Sequence, residues 1–281
     1  MADSTSIQAP AKTNLSLRVL NKREDGFHEI ETRMIRLSLA DRVDLSWTTD
    51  DRIELTCSDP ELPTGEENLA TKAVRALEER VRKKFSLRIH IEKKIPSGAG
   101  LGGGSSDAAA ILTGVNEMAS LGLSIEELAQ IGATVGSDVS FFVYDCACDC
   151  TGRGEAVTPL PDFNPGLPLV LAKPDFGVSA GWAYQKFLNS KELPGISYVP
   201  QICPWGLMMN DLEQPVFQKH LVLASMKMWL LNQAEVHAAM MSGSGSTMLA
   251  VLNKSDAGIE LAERIRARFG QSTWTWVGHS L

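Results

Sequence analysis

Residues 95–107 read Ile-Pro-Ser-Gly-Ala-Gly-Leu-Gly-Gly-Gly-Ser-Ser-Asp, with five glycines in the seven positions from Gly98 to Gly104. Glycine takes positive φ freely and lets a backbone approach a ligand closely. A strand-like run over 87–92 leads into this loop, and an alanine-rich, helix-like run over 108–112 leads out. The unpaired N–H groups and positive dipole end of such a helix attract an anion. Serines at its start cap it or contact a phosphate and its metal. Pro96, Gly98, Gly100, Leu101, Gly102, Gly103, Gly104, Ser105 and Ser106 are therefore read as a phosphate cradle. A plain glycine-rich surface turn needs neither so many glycines nor two hydroxyls at a helix start.

Three kinds of phosphate loop compete. The Walker pattern is absent, because no lysine follows the glycines. The dinucleotide pattern G-x-G-x-x-G is met by Gly98, Gly100 and Gly103, but it needs an acid about 20 residues on, closing a second strand. There the chain reads Leu-Ser-Ile-Glu-Glu-Leu-Ala over 123–129, and Ser124 with Glu127 forms a capping box that opens a helix instead. The third pattern, P-x-G-x-G-L-G-G-G-S-S, resembles the GHMP family of small-molecule kinases. Further segments resemble it in the same order: Ala9-Pro10-Ala11-Lys12-Thr13-Asn14, Asp25-Gly26-Phe27-His28, Gly136-Ser137-Asp138-Val139, Gly152-Arg153-Gly154-Glu155, Asn210-Asp211-Leu212-Glu213 and Ser242-Gly243-Ser244-Gly245-Ser246. The resemblance runs from about Ala9 to about Val251.

The resemblance implies a two-lobed α+β fold with the active site in the cleft, ATP as phosphoryl donor, and Mg²⁺ held near Ser105. It implies that Asp138 holds the acceptor hydroxyl, as a base or an orienting group, and that Lys12 is the second catalytic residue. A lysine there stabilises an ionised aspartate and an acceptor alkoxide through its charge. Lys93 is expected to reach the nucleotide, and Gly243-Ser244-Gly245 to form a second backbone nest. The triple glycine together with Asp-Gly-aromatic-His resembles one branch in particular. That branch phosphorylates the 2-hydroxyl of a cytidine diphosphate methylerythritol, yielding ADP, in the non-mevalonate route to isoprenoid precursors. It implies acceptor contacts at Lys12, Asn14, Phe27, His28 and Asp138, with Phe27 stacking on cytosine and Trp182 or Tyr184 as the second ring. Homoserine and mevalonate kinases share the loop but usually lack the Asp-Gly-aromatic-His segment. A nucleotide sensor without turnover would not need both Lys12 and Asp138. Two residues depart from the family pattern: Ser140 and Ser246 stand where proline is usual, which relaxes the backbone.

Composition sets the frame for these motifs. The chain has 281 residues, 44% of them hydrophobic, enough for one large domain or two small ones. A net charge of -7 argues against general nucleic-acid binding, which needs a basic face. No apolar run reaches membrane-spanning length, and Met1 to Ser6 lack the basic and apolar regions of a signal peptide. A cytoplasmic protein is expected, as a monomer or homodimer with a small-molecule substrate. Five cysteines, an odd number, argue against a disulfide framework. Cys146, Cys148 and Cys150 alternate and are read as structural thiols on one face of a strand.

The elements that must position these residues follow from periodicity. Strands are expected over 15–20 and 34–46, with a polar turn over 21–26. A helix is expected over 68–84, from Leu69, Ala73, Ala76 and Leu77. The strand–loop–helix unit spans 87–119, followed by a helix over 125–134 and a strand over 139–149. A proline- and glycine-rich section over 159–168 marks a boundary between lobes over 1–160 and 161–281. Beyond it come a strand at 169–172, a helix at 180–189, a loop at 191–206, helices at 211–218 and 221–234, a strand at 248–252 and a helix at 256–268.

Overall fold

The computed structural model describes residues 3–281. Met1 and Ala2, the first residues of the segment read against a signal peptide, lie outside the described residues. Two long strands, β1 (Ser4–Lys22) and β2 (His28–Trp47), pair antiparallel around the polar turn. After β3 (Ile53–Cys57), helix α1 (Leu69–Val81) leads to β4 (Leu87–Glu92), which pairs with β3 in parallel and with β2 antiparallel. Helices α2 (Gly103–Met118), α3 (Ile125–Val135) and α4 (Val139–Val143) follow. The hairpin β5 (Ala147–Thr151) and β6 (Ala156–Leu160) then joins β2.

The remainder runs β7 (Pro168–Lys173), α5 (Ala180–Phe187), β8 (Gln201–Cys203), β9 (Gly206–Asn210), α6 (Glu213–Lys219), α7 (Leu221–Leu231), β10 (Val236–Met241), β11 (Met248–Leu252), α8 (Gly258–Phe269) and β12 (Trp274–His279). One sheet has the order β3-β4-β2-β1-β9-β8, with β5 and β6 attached through β2. The other is β10-β11-β7-β12, antiparallel throughout. The hairpin β8–β9, although late in the chain, lies in the first sheet, because β9 runs parallel to β1.

The apolar pattern explains how the sheets stack. Strands β7, β10 and β11 are near-continuous apolar runs, as strands buried on both faces must be. Leu169, Leu171, Met240, Leu249 and Val251 share one core with Ala11, Leu15, Ile35 and Leu37 of the first sheet. Val170, Ala172, Met241, Met248 and Ala250 share another with α6, α7 and α8. A third core packs α1, α2 and α3 on the first sheet. Burying one such leucine stabilises by about 1.5–3 kcal/mol. Ile95, Ala99 and Leu101 of the glycine loop belong to the core between the sheets, so the loop is fastened to that core.

Local signals account for several boundaries. Asn68 caps α1 by accepting from the Ala70 N–H, and Ser124 with Glu127 forms the expected capping box on α3. The expected strand over 139–149 is corrected: Val139–Val143 is helix α4, and only 147–151 is strand. The Val-Ser-Phe-Phe-Val run fits a buried strand or a buried helix turn equally well. Packing decides, with Val139 set against Gly132 of α3 and Phe141 in a small cluster with Met34, Cys148 and Cys150. Residues 201–203, expected as loop, form β8. Strands β3, β6, β9, β10 and β12 are additions to the expected elements; β3 alternates as Ile-Glu-Leu-Thr-Cys but is only five residues long.

Candidate active site

Strand β1 carries Lys12 and Asn14 on one face, and register shifts against β2 bracket them, between Pro10 and Lys12 and between Asn14 and Ser16. Bulges of this kind re-aim side chains. Lys12 is buried; its Nζ donates to Asn14 Oδ1 at 2.9 Å and lies 3.4 Å from Asp138 Oδ2. Asn14 donates in turn to Thr32 Oγ1 at 2.6 Å, and Thr32 to the Ser16 carbonyl at 2.6 Å. Asp138 sits at the N-cap of α4 but makes no capping bond, so its carboxylate stays available. Its side chain is 32% exposed against 6% for Lys12, which makes it the member of the pair that reaches an incoming hydroxyl.

The glycine loop folds against the Ser-Gly-Ser-Gly-Ser loop. Gly100, at φ +75°, packs backbone to backbone, and a Cβ there would overlap the Ser242 carbonyl oxygen. Ser242 Oγ donates to the Gly100 carbonyl at 3.2 Å, Thr13 Oγ1 to Ser242 Oγ at 3.0 Å, and the Thr247 N–H to the Ala99 carbonyl at 3.3 Å. Asn210 clamps the second loop by donating to the Met241 and Gly243 carbonyls, both at 2.7 Å. Ser140 and Ser246, the two departures from proline, each donate a hydroxyl to a neighbouring segment, Ala129 at 2.8 Å and Phe176 at 2.5 Å. The first bond ties α4 to α3 and the second restrains the Ser246 loop, segments that proline would otherwise stiffen.

Two cavities meet at this junction. One, of about 460 Å³, is lined by Asn68, Leu69, Lys93, Pro96, Gly98 and the run Gly100–Ser105. The other, of about 490 Å³, is lined by Lys12, Asn14, Asp25, Phe27, His28, Asp138, Arg153 and Tyr184. Gly100, Gly102, Ala180 and Ser244 line both. The arrangement suits a donor phosphate chain in the first cavity and an acceptor in the second, with Lys12 and Asp138 on the acceptor side of the boundary.

The first turn of α2 carries no acidic side chain, which leaves its N–H groups open to an anion. Ser105 lines the donor cavity, whereas Ser106 is buried with its Oγ lacking a hydrogen-bond partner. Among the described residues no cluster of three or more His, Cys, Asp or Glu could hold a metal. Mg²⁺ in such sites is held mainly by substrate phosphates and water, with one or two protein oxygens. The Ser105 hydroxyl on the cavity wall fits that limited role, and the cysteine triplet has no such part.

Lys93 lines the donor cavity but is committed elsewhere. It pairs with Asp41 and, at 2.7 Å, with Asp107. Asp41, fully buried on β2, also accepts from the Lys94 and Ile95 N–H groups at 2.5 and 2.8 Å. Burial lowers the Lys93 ammonium, and the two carboxylates more than offset this to hold it above its usual range. Burial pushes Asp107 up to about 7, with Lys93 opposing and Asp41 reinforcing the shift. Asp41 was not anticipated; an acid inside the apolar alternation of β2 is the signal that could have found it.

In the acceptor cavity Phe27 is 50% exposed. His28 is buried and stacks with Tyr184, ring centroids 5.9 Å apart at 22°. Tyr184 is therefore the second ring on the acceptor cavity, while Trp182 packs under Lys219 instead. Burial, then the Lys22 charge, lowers the His28 pKa and keeps the imidazole neutral at pH 7. Burial, then the Asp138 charge, raises the Tyr184 phenol.

The GHMP kinases N terminal domain model matches residues 68–146, and the GHMP kinases C terminal model matches residues 204–271. The 4-diphosphocytidyl-2-C-methyl-D-erythritol kinase of Shouchella clausii (strain KSM-K16) is 41% identical over 259 residues, 89% of this chain and 86% of its own. The chain belongs to the GHMP kinases, among the 4-diphosphocytidyl-2-C-methyl-D-erythritol kinases. The Syntrophotalea carbinolica kinase of that name is 39% identical over 94% of this chain and 95% of its own. A solved 4-(cytidine 5'-diphospho)-2C-methyl-D-erythritol kinase superposes with a TM-score of 0.80 at 31% identity, covering 98% of this chain and 99% of its own. Homoserine kinase from Cytophaga hutchinsonii superposes at 0.71 with 19% identity, over 100% of this chain and 95% of its own, and shares the fold.

Proposed function

We propose that this chain transfers the γ-phosphoryl group of ATP to the 2-hydroxyl of 4-diphosphocytidyl-2-C-methyl-D-erythritol, giving the 2-phosphate and ADP in the non-mevalonate route. The observation that carries the reading is the junction of the two cavities, with Lys12 and Asp138 beside the shared glycines. Phosphoryl transfer needs alignment and charge neutralisation more than covalent help. Asp138 orients the acceptor hydroxyl and takes its proton as the new O–P bond forms. Lys12 offsets the charge that develops on that oxygen. The bond to the β-phosphate side breaks, and ADP leaves from the Gly100–Ser105 cradle. Mg²⁺, when bound, neutralises the phosphate chain, and Ser105 would help to hold it. Phe27 and Tyr184 supply rings for the cytosine, and neutral His28 offers one donor and one acceptor to its edge.

The same reading divides the chain into an N-terminal lobe over 1–160 and a C-terminal lobe over 161–281, with the β8–β9 hairpin lent by the second lobe to the first lobe's sheet. The described residues contain no helix long and apolar enough to cross a membrane. Five free cysteines and the use of ATP support a cytoplasmic setting. Phe27→Ala tests the acceptor assignment. The KM for the cytidine acceptor should rise at least about tenfold, the scale of a lost base–aromatic stack, with the KM for ATP little changed. An unchanged acceptor KM would remove cytosine stacking from the reading.

A further inference from the structure

The Gly152-Arg153-Gly154-Glu155 turn has no part in the chemistry above, yet it is built into the acceptor cavity. The Gly152 carbonyl accepts from the Ile30 N–H at 2.8 Å, and its N–H donates to Glu29 Oε1 at 3.0 Å. Glu29 also pairs with Arg23 at 2.8 Å. Arg23 donates to Asp25 at 3.1 Å, and Asp25 accepts from the Phe27 N–H at 3.1 Å. The turn is thereby tied to the segment that presents Phe27 and His28. From it the Arg153 guanidinium lies over the Phe27 ring, 4.8 Å from the centroid, and lines the same cavity.

The charges around that cavity give Arg153 its meaning. Four lining side chains are charged: Lys12, Asp25, Asp138 and Arg153. Lys12 is matched by Asp138 at 3.4 Å, and Asp25 by Arg23. Arg153 pairs through Nε with Glu155 of its own turn at 3.6 Å and donates from Nη2 to the Ala133 carbonyl at 3.5 Å, both long contacts. A guanidinium stacked on an aromatic face can turn its remaining N–H groups to phosphate oxygens. A cavity with balanced charge needs such a cation to receive a diphosphate.

We infer that Arg153 is a specificity-determining residue of the acceptor site, stacking on one face of Phe27 and binding the acceptor's diphosphate. The inference rests on the reading of the acceptor as a cytidine diphosphate conjugate. It assigns two tasks to one side chain: the stack fixes the ring that meets the base, and the charge selects a diphosphate-linked acceptor over a neutral alcohol.

The test measures binding of CDP and of cytidine to wild type, Arg153→Met and Arg153→Lys by calorimetry, beside turnover of the full acceptor and melting temperature. In Arg153→Met, CDP affinity and the acceptor kcat/KM should fall at least tenfold, cytidine affinity by a clearly smaller factor from the loss of the Phe27 stack alone, and the KM for ATP should stay within about twofold. Arg153→Lys, which keeps the charge, should retain most of the CDP affinity. Wild-type affinity for CDP should weaken with added salt, and that dependence should flatten in Arg153→Met. Unchanged CDP binding in Arg153→Met would overturn the inference and leave the acceptor reading standing. Equal losses for CDP and cytidine would overturn the diphosphate contact and reduce Arg153 to a prop for Phe27. A wild type that neither binds CDP nor turns over the acceptor would overturn the acceptor reading itself.

Discussion

In the proposed mechanism Asp138 is the residue on which the chemistry turns, because its carboxylate is uncapped, partly exposed and held 3.4 Å from the Lys12 ammonium. Asp138→Asn keeps the shape and removes the charge. It should fold with an unchanged melting temperature and lose about 10²–10⁴-fold in kcat, the usual scale for a positioned proton acceptor. Near-normal turnover would end its assignment. His28 gives a second, independent reading through pH. Its pKa lies below the ordinary 6.5 because burial, then Lys22, disfavours the charged ring. Protonation therefore waits for more acidic solution, and the acid fall in acceptor kcat/KM should have its midpoint below pH 6.5. His28→Asn should lose its share of that acid limb; a fall centred above 6.5 in the wild type would contradict the neutral-ring account. Residues inside quotable motifs, such as Lys12, Phe27 and Ser105, were legible in the sequence because each sits in a short run of unusual types. Asp41 was not, since a single acid in a strand reads as solvated until Lys93, Lys94 and Ile95, just after β4, close over it. Tyr184 stayed one of two options, because Trp182 and Tyr184 stand two residues apart in α5 and only packing decides which of them lines the cavity.

At the scale of elements, the two glycine-bearing loops act as one part. Gly100 shows why: its positive φ and its contact with Ser242 leave no room for a side chain. Gly100→Ala should cost about 1–3 kcal/mol from backbone strain alone, and more from displacing the Ser242 loop. Chemical denaturation would show the loss, and ATP affinity should fall with it. A variant as stable as wild type with unchanged ATP binding would mean that the loops do not depend on this contact. The sequence showed the strand–loop–helix unit clearly, since the glycines and the helical alanines each carry a local signal, although α2 starts behind Gly102 with no serine cap and takes Ser105 and Ser106 into its first turns. It misplaced α4, where four apolar residues and Ser140 form a run too short to distinguish helix from strand, and it passed over β10 and β12. The bulges that bracket Lys12 and Asn14 leave no mark in the sequence, because they arise from pairing between β1 and β2.

Across the whole molecule, two stacked sheets share a core into which the glycine loop inserts Ile95, Ala99 and Leu101. That core fixes the junction of the two cavities, and residues of both sheets contribute to it. The mixed α+β character was readable from composition and periodicity. The lending of β8–β9 to the first sheet was not, since no local pattern says which distant strand a hairpin will join. At this scale the proposed function is that of a cytidine-specific phosphotransferase. The most direct test is ADP release by purified protein with Mg²⁺-ATP, comparing 4-diphosphocytidyl-2-C-methyl-D-erythritol with homoserine and mevalonate. Release with the cytidine compound alone is the predicted result. Equal or greater release with homoserine or mevalonate, or none with the cytidine compound despite measurable ATP binding, would contradict it.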